Sequence, residues 1–172
     1  MIPTKYAAFL RGIGPGDPKK SNESLRNVFE SLGYSNVRSF ISSGNILFES
    51  PNKNIEQLEQ EIEEALLKSI GKPCYTIVKS KEELEEFLTT KPFGSLKHDA
   101  TSYLIVTFFR KIPKTLDMKN SLKFDKKIKA LCTIIDTTAS GTPEFMLHLE
   151  KNYGKAITTR TINTLERIAK RL

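Results

Sequence analysis

Tyr6-Ala7-Ala8-Phe9-Leu10 runs into Arg11-Gly12-Ile13-Gly14-Pro15-Gly16-Asp17-Pro18-Lys19-Lys20, and the reading of this junction decides the fold. The apolar run is too short for three helical turns and is bounded by Pro3 and Gly12, which suits a buried strand. The connection after it exceeds the roughly 2–6 residues that usually join a strand to a helix. Leu25, Val28, Phe29 and Leu32 then recur at i, i+3, i+4 and i+7. Ser21 or Asn22 can accept a bond from the first free N–H groups, and Gly33 can end the helix in a left-handed turn.

Working outward, Val37 to Ile41 and Ile46 to Phe48 are rich in strand formers. Ser42-Ser43-Gly44-Asn45 between them supplies the positive φ of a tight hairpin. Ile55, Leu58, Ile62, Ala65, Leu66 and Ile70 mark a second amphipathic helix, started by Asn54 and stopped by Gly71 and Pro73, and Cys74 to Val78 reads as a fourth strand. The order β-α-β-β-α-β is the ferredoxin-like unit, so the fold class is α+β, with this unit expected over residues 1–79.

A second α+β unit is expected over residues 80–172. Ser80-Lys81-Glu82-Glu83 is a capping box ahead of Leu84, Phe87 and Leu88. Strands are predicted over Ser102 to Arg110 and Ile128 to Asp136, and a third where Phe145, Leu147 and Leu149 alternate with polar residues. Lys111 to Lys127 carries only a weak helical pattern, and Ile162, Leu165, Ile168, Ala169 and Leu172 form the apolar face of a predicted C-terminal helix. The β-α-β-β-α order matches the first unit in order, not in residues.

Of the chain's 172 residues, residues 1–91 hold 12 Lys/Arg against 13 Asp/Glu, and residues 92–172 hold 15 against 7. The whole excess of +7 therefore lies in the second half, which points to an anionic partner, nucleic acid included; a solvated lysine-rich face is the plain alternative. No apolar run approaches a membrane span and no signal sequence precedes Tyr6, so a cytoplasmic protein without a membrane partner is expected. Cys74 and Cys132 sit in apolar patterns without a second cysteine or a histidine at ligand spacing, so neither a metal nor a redox site is expected. His98 and His148 have no partner at catalytic spacing, and each reads as a surface or structural histidine.

Three segments are candidates for binding. In the first, the N–H groups of Gly12, Gly14 and Gly16 ahead of a helix can converge on a phosphate or carboxylate, helped by Arg11, Lys19 and Lys20. Neither the Walker pattern nor the dinucleotide fingerprint is present, so no cofactor is expected. The plain alternative is a loop whose Gly and Pro residues only turn the chain. In the second, Ser43, Gly44 and Asn45 offer a hydroxyl and an amide at a strand end, against a simple hairpin turn. In the third, Thr158-Thr159-Arg160-Thr161 is predicted to open the last helix. Arg160 in its first turn opposes the dipole by roughly 0.3–1 kcal/mol unless an anion is bound or an acidic side chain answers it.

Phe9-Leu10-Arg11-Gly12-Ile13, Leu32-Gly33-Tyr34 with Val37, Ser43-Gly44-Asn45 before Ile46-Leu47-Phe48, and Thr158-Thr159-Arg160 with Asn163-Thr164 together resemble the family catalogued as domain of unknown function 1697. The usual loop of that family reads Arg-Gly-Ile-Asn-Val-Gly-Gly, and its terminal motif reads Thr-Thr-Arg-Asn-Trp-Asn-Thr. Here Gly14-Pro15 replaces Asn-Val and Thr161-Ile162 replaces Asn-Trp. The resemblance implies a small bacterial-type cytosolic α+β protein and carries no activity with it. It picks out the same three segments and adds Asn163.

The expected function is therefore binding of a small phosphate- or carboxylate-bearing ligand, a nucleotide among them, where these segments meet. The alternative is an RNA- or DNA-binding module that uses the basic half. Ile46-Leu47-Phe48 lacks the aromatic motif by which ferredoxin-like sheets stack RNA bases.

Overall fold

A computed structural model describes the chain except residues 1, 15, 42, 43, 118–120 and 139–141. The chain divides into two compact units, Met1–Glu82 with Arg171–Leu172, and Glu83–Lys170.

The first unit runs β1 (Thr4–Leu10), α1 (Asn22–Ser31), β2 (Ser35–Ser39), β3 (Asn45–Ser50), α2 (Ile55–Ile70) and β4 (Thr76–Ser80), with a 3-10 turn at Pro18–Lys20 before α1. Its antiparallel sheet has the order β2-β3-β1-β4, the ferredoxin-like arrangement. The helix boundaries follow from local chemistry. Ser21 Oγ accepts the Ser24 N–H at 3.1 Å, Asn54 Oδ1 accepts the Gln57 N–H at 3.1 Å, and Gly71 closes α2 in the left-handed region at φ 81°.

The core of this unit lies between the two helices and one sheet face. Tyr6, Ala8 and Leu10 of β1 alternate inward against Leu25 and Phe29 of α1 and Leu58, Ile62 and Leu66 of α2. Phe48 is its centre, with the rings of Tyr34, Phe29 and Tyr6 at 4.7, 5.4 and 5.4 Å. Each fully buried side chain of this size contributes about 1.5–3 kcal/mol. The opposite face, with Ala7, Phe9, Leu47 and Ile77, is buried as well.

The second unit runs α3 (Lys81–Thr89, entered from the first unit), β5 (Ser102–Phe109), β6 (Ser121–Asp125), β7 (Ala130–Asp136), α4 (Thr142–Tyr153), β8 (Ile157–Thr161) and α5 (Ile162–Ala169). Its sheet order, β6-β7-β5-β8, is that of the first sheet. The repetition extends to residues and bonds. Phe108-Phe109-Arg110-Lys111-Ile112 leaves β5 as Phe9-Leu10-Arg11-Gly12-Ile13 leaves β1. Leu10 N–H donates to Gly44 O at 2.8 Å, and Phe109 N–H donates to Lys129 O at 2.9 Å. Both acceptors have positive φ, 71° and 55°. Arg11 N–H donates to Tyr75 O, and Arg110 N–H donates to Ala156 O. Lys79 faces Ala7 across β4 and β1 at the register where Arg160 faces Val106 across β8 and β5. Among the described residues there is no counterpart of α1, since residues 110–117 form no helix.

Two expectations for this half are corrected. Phe145, Leu147 and Leu149 lie in helix α4, not in a strand: Leu149 is buried while Leu147 is exposed, and Met146, Leu149 and Tyr153 share the packed side at helical spacing. The alternation at 145 and 149 is equally an i, i+4 pair, and the neighbours decide between the two periods. Thr158 to Thr161 do not open the last helix. They form edge strand β8, as β-branched residues favour, and Thr161 is the N-cap, its Oγ1 accepting the Thr164 N–H at 3.3 Å.

Candidate functional site

Within the first unit, the glycine-rich loop and the β2–β3 turn come together at one end of the sheet. Arg11 leaves β1 with its N–H on Tyr75 O at 2.9 Å and its carbonyl accepting the Cys74 S–H at 3.2 Å, while its side chain is part-exposed. Lys20 Nζ reaches back to Gly12 O at 2.9 Å and straps the loop. Ile13 lies against Gly44, where a Cβ would stand 2.9 Å from Ile13 Cβ, so only glycine fits there. Asn45 is fully buried, and its side-chain amide donates to Phe40 O at 3.1 Å while Phe40 N–H donates to Asn45 O at 2.9 Å. That amide closes the hairpin. Ser42 and Ser43, the hydroxyls singled out in the sequence, lie outside the described residues.

A groove of about 470 Å³ opens beside this loop, lined by Gly14, Gly16, Asp17, Lys20, Ser21 and Asn22. Among the described residues, Gly14 and Gly16 make no hydrogen bond, and both are exposed. The Asp17 carboxylate is turned onto the Lys19 N–H at 3.0 Å, where it caps the 3-10 turn. Lys19 is exposed and does not line the groove; Lys20 does.

Thr158, Thr159, Arg160 and Asn163 belong to the second unit. Arg160 Nη1 donates to Thr158 Oγ1 at 2.9 Å and to Thr159 O at 2.7 Å, and Thr159 Oγ1 donates to Met146 Sδ at 3.3 Å. Arg160 therefore sits in extended backbone ahead of the α5 cap, and the first-turn dipole argument does not apply to it. Removal from water lowers its pKa to about 10. Asn163, exposed on α5, lines a separate groove in this unit.

The fold also pairs groups that sequence spacing does not connect. His148 Nε2 lies 2.8 Å from Asp117 Oδ2 and 3.0 Å from Asn152 Nδ2, and Tyr153 Oη accepts the Asp117 N–H at 2.7 Å. His98 Nδ1 accepts the Leu104 N–H at 3.0 Å. The sequence leaves His148 without a partner, because Asp117 arrives from another segment and a predicted strand over residues 145–149 hides the i, i+4 relation to Asn152. Among the described residues, no group of three or more His, Cys, Asp or Glu side chains is placed to hold a metal ion. No helix among them is long and apolar enough to cross a membrane.

The fold defines an α+β protein in which a ferredoxin-like unit with polar loops at one end of its sheet is followed by a second unit with the same sheet order. The chain belongs to the family described as protein of unknown function, DUF1697, whose match spans residues 3–134. That span contains the glycine-rich loop and the hairpin and ends before Thr158. No curated protein matches the chain. Among solved structures, the conserved bacterial protein SP0830 from Streptococcus pneumoniae superposes with a TM-score of 0.73 at 24% identity, over 99% of this chain and 98% of that one. The likeness establishes a shared fold.

Proposed function

We propose that the protein binds a small phosphate- or carboxylate-bearing ligand, with a nucleotide the leading member of that class, in the groove beside the glycine-rich loop. One observation carries the reading: Gly14 and Gly16, which make no hydrogen bond among the described residues, share a groove with Lys20 and with the first residues of α1. Backbone N–H groups at a helix start and one ammonium group are what an anion of this size requires. Lys20 offsets the carboxylate of Asp17 on the same wall. The excess of positive charge in residues 92–172 draws anions toward the protein in general.

A nucleic-acid reading finds less support. Ferredoxin-like RNA binders stack bases on an open sheet face. In this chain Ala7, Phe9 and Leu47 on one face of the first sheet are buried, as are Tyr6, Ala8 and Phe48 on the other. The two buried free cysteines suit a reducing compartment, and the cytoplasm is the proposed location.

The test is a thermal-melt series of the wild type, Lys20→Ala and Lys19→Ala with inorganic phosphate, nucleotides, small carboxylates and short RNA at low and moderate salt. A ligand at a hundredfold over its Kd stabilises the fold by about 2.7 kcal/mol. The expected result is a nucleotide or phosphate shift that survives moderate salt, persists in Lys19→Ala and disappears in Lys20→Ala. A shift with RNA alone, and only at low salt, would transfer the function to the basic surface.

A further inference from the structure

We propose that the second unit carries a ligand site of its own, a groove of about 380 Å³ between the α3–β5 connection and α5, suited to a small aromatic carboxylate. Its volume falls within the roughly 300–1,000 Å³ typical of small-molecule sites. Leu104 and Ile162, both buried, supply its apolar floor. Lys91, Lys97, His98, Asn163 and Glu166 supply its polar groups.

His98 is the most constrained of these. Its Nδ1 accepts the Leu104 N–H at 3.0 Å, and its ring stacks on Tyr103 with centroids 4.8 Å apart. A neutral imidazole that accepts at Nδ1 carries its proton on Nε2, so this ring is fixed as a donor in one orientation. Lys91 holds a left-handed backbone at φ 47°, a conformation unfavourable for an L-residue and sustained only by its surroundings.

The charge balance selects the ligand. Lys91 and Lys97 outnumber Glu166, and the carboxylate of Asp99 is turned away onto the N–H groups of Thr101 and Ser102. A carboxylate meets the lysines and the His98 donor, while a ring covers the apolar floor. An anion without an apolar body would leave that floor wet, and an uncharged ring would gain nothing from the two exposed ammonium groups.

The experiment follows the His98 ring and Asn163 amide resonances by NMR while benzoate, inorganic phosphate or benzyl alcohol is added up to about 10 mM. Benzoate is expected to give a saturable shift, weakened roughly 10-fold or more by Lys97→Ala and strengthened by Glu166→Gln, with phosphate and benzyl alcohol each at least about 10-fold weaker. Lys97 is exposed, so its loss leaves the fold intact. Lys20→Ala, expected to abolish binding in the groove proposed in the first unit, is expected to leave the benzoate shift unchanged, so the two sites fail separately. Equal shifts with phosphate or with benzyl alcohol, a benzoate shift indifferent to Lys97→Ala, or no saturable shift would each overturn the proposal.

Discussion

Glu59 of α2 accepts the backbone N–H of Val78 on edge strand β4 at 2.9 Å. One turn further, Glu63 accepts the Thr76 N–H at 2.7 Å. Among the described residues no strand neighbours these outward N–H groups, and an open edge invites pairing with another chain. The helix closes it. Glu59→Ala leaves a buried donor unsatisfied and is expected to destabilise the protein by about 1–3 kcal/mol, whereas Glu59→Gln, which keeps an acceptor, loses about 1 kcal/mol. Urea denaturation measures both. Equal losses in the two variants would show that the acceptor at Val78 is not what matters.

Gly44→Ala is expected to cost about 2–4 kcal/mol. Its φ of 71° is disfavoured for alanine, and the new methyl would stand 2.9 Å from Ile13 Cβ and 3.1 Å from Leu10 Cβ. The loss comes from crowding on the first loop, so Gly44→Ala combined with Ile13→Gly, which removes the opposing Cβ and Cγ1, should recover part of it. A double variant no more stable than the additive sum would argue against the contact.

Burial raises the pKa of the Cys74 thiol to about 11 and that of Cys132 to about 12. Thiolate is the reactive form, so at pH 8 neither cysteine should react with a thiol reagent in the native protein, and both should react in denaturant. Rapid titration of one equivalent without denaturant would contradict their burial.

Tyr34 is held protonated by burial first and then by its bond to Glu61 Oε2 at 3.1 Å, which raise its pKa well above 10. A raised folded-state pKa contributes stability that is fully present below the unfolded value near 10 and is lost as pH rises through the folded value. Stability should therefore fall above about pH 10, and Tyr34→Phe should flatten that fall. Melts across this range decide it; an unchanged slope in Tyr34→Phe would assign the alkaline loss to other groups.

The reading of residues 6–80 from sequence succeeds because its signals are local. Ser21, Asn54 and Gly71 act through neighbours three or four residues away, and the helical spacing of Leu58, Ile62 and Leu66 needs no partner to be seen. Thr158 to Thr161 were misplaced because hydroxyl residues before an apolar helix resemble a helix start whether or not a strand precedes them. Only pairing with β5 reveals β8. The α4 segment fails for a related reason, since residues four apart satisfy both a strand period and a helix period.

The candidate site was legible to a lesser degree. Gly12, Gly14 and Gly16 announce an unusual loop, yet Lys20 rather than Lys19 turns into its groove, a choice made by the 3-10 turn that Asp17 caps. His98 looked solitary because its acceptor bond to Leu104 and its stacking on Tyr103 depend on how the α3–β5 connection folds back on β5.

The sequence by itself determined the α+β class, the split β-α-β-β-α-β unit, the family resemblance and the segments rich in binding groups, because periodicity, capping and turn chemistry act over a few residues. Tertiary structure decided that the second half repeats the first sheet, that α2 closes the β4 edge, that Asn45 serves its hairpin and that Arg160 lies in a strand. Those outcomes depend on strand pairing and burial between residues far apart in the chain, where the gain is set by the partner and not by the local pattern.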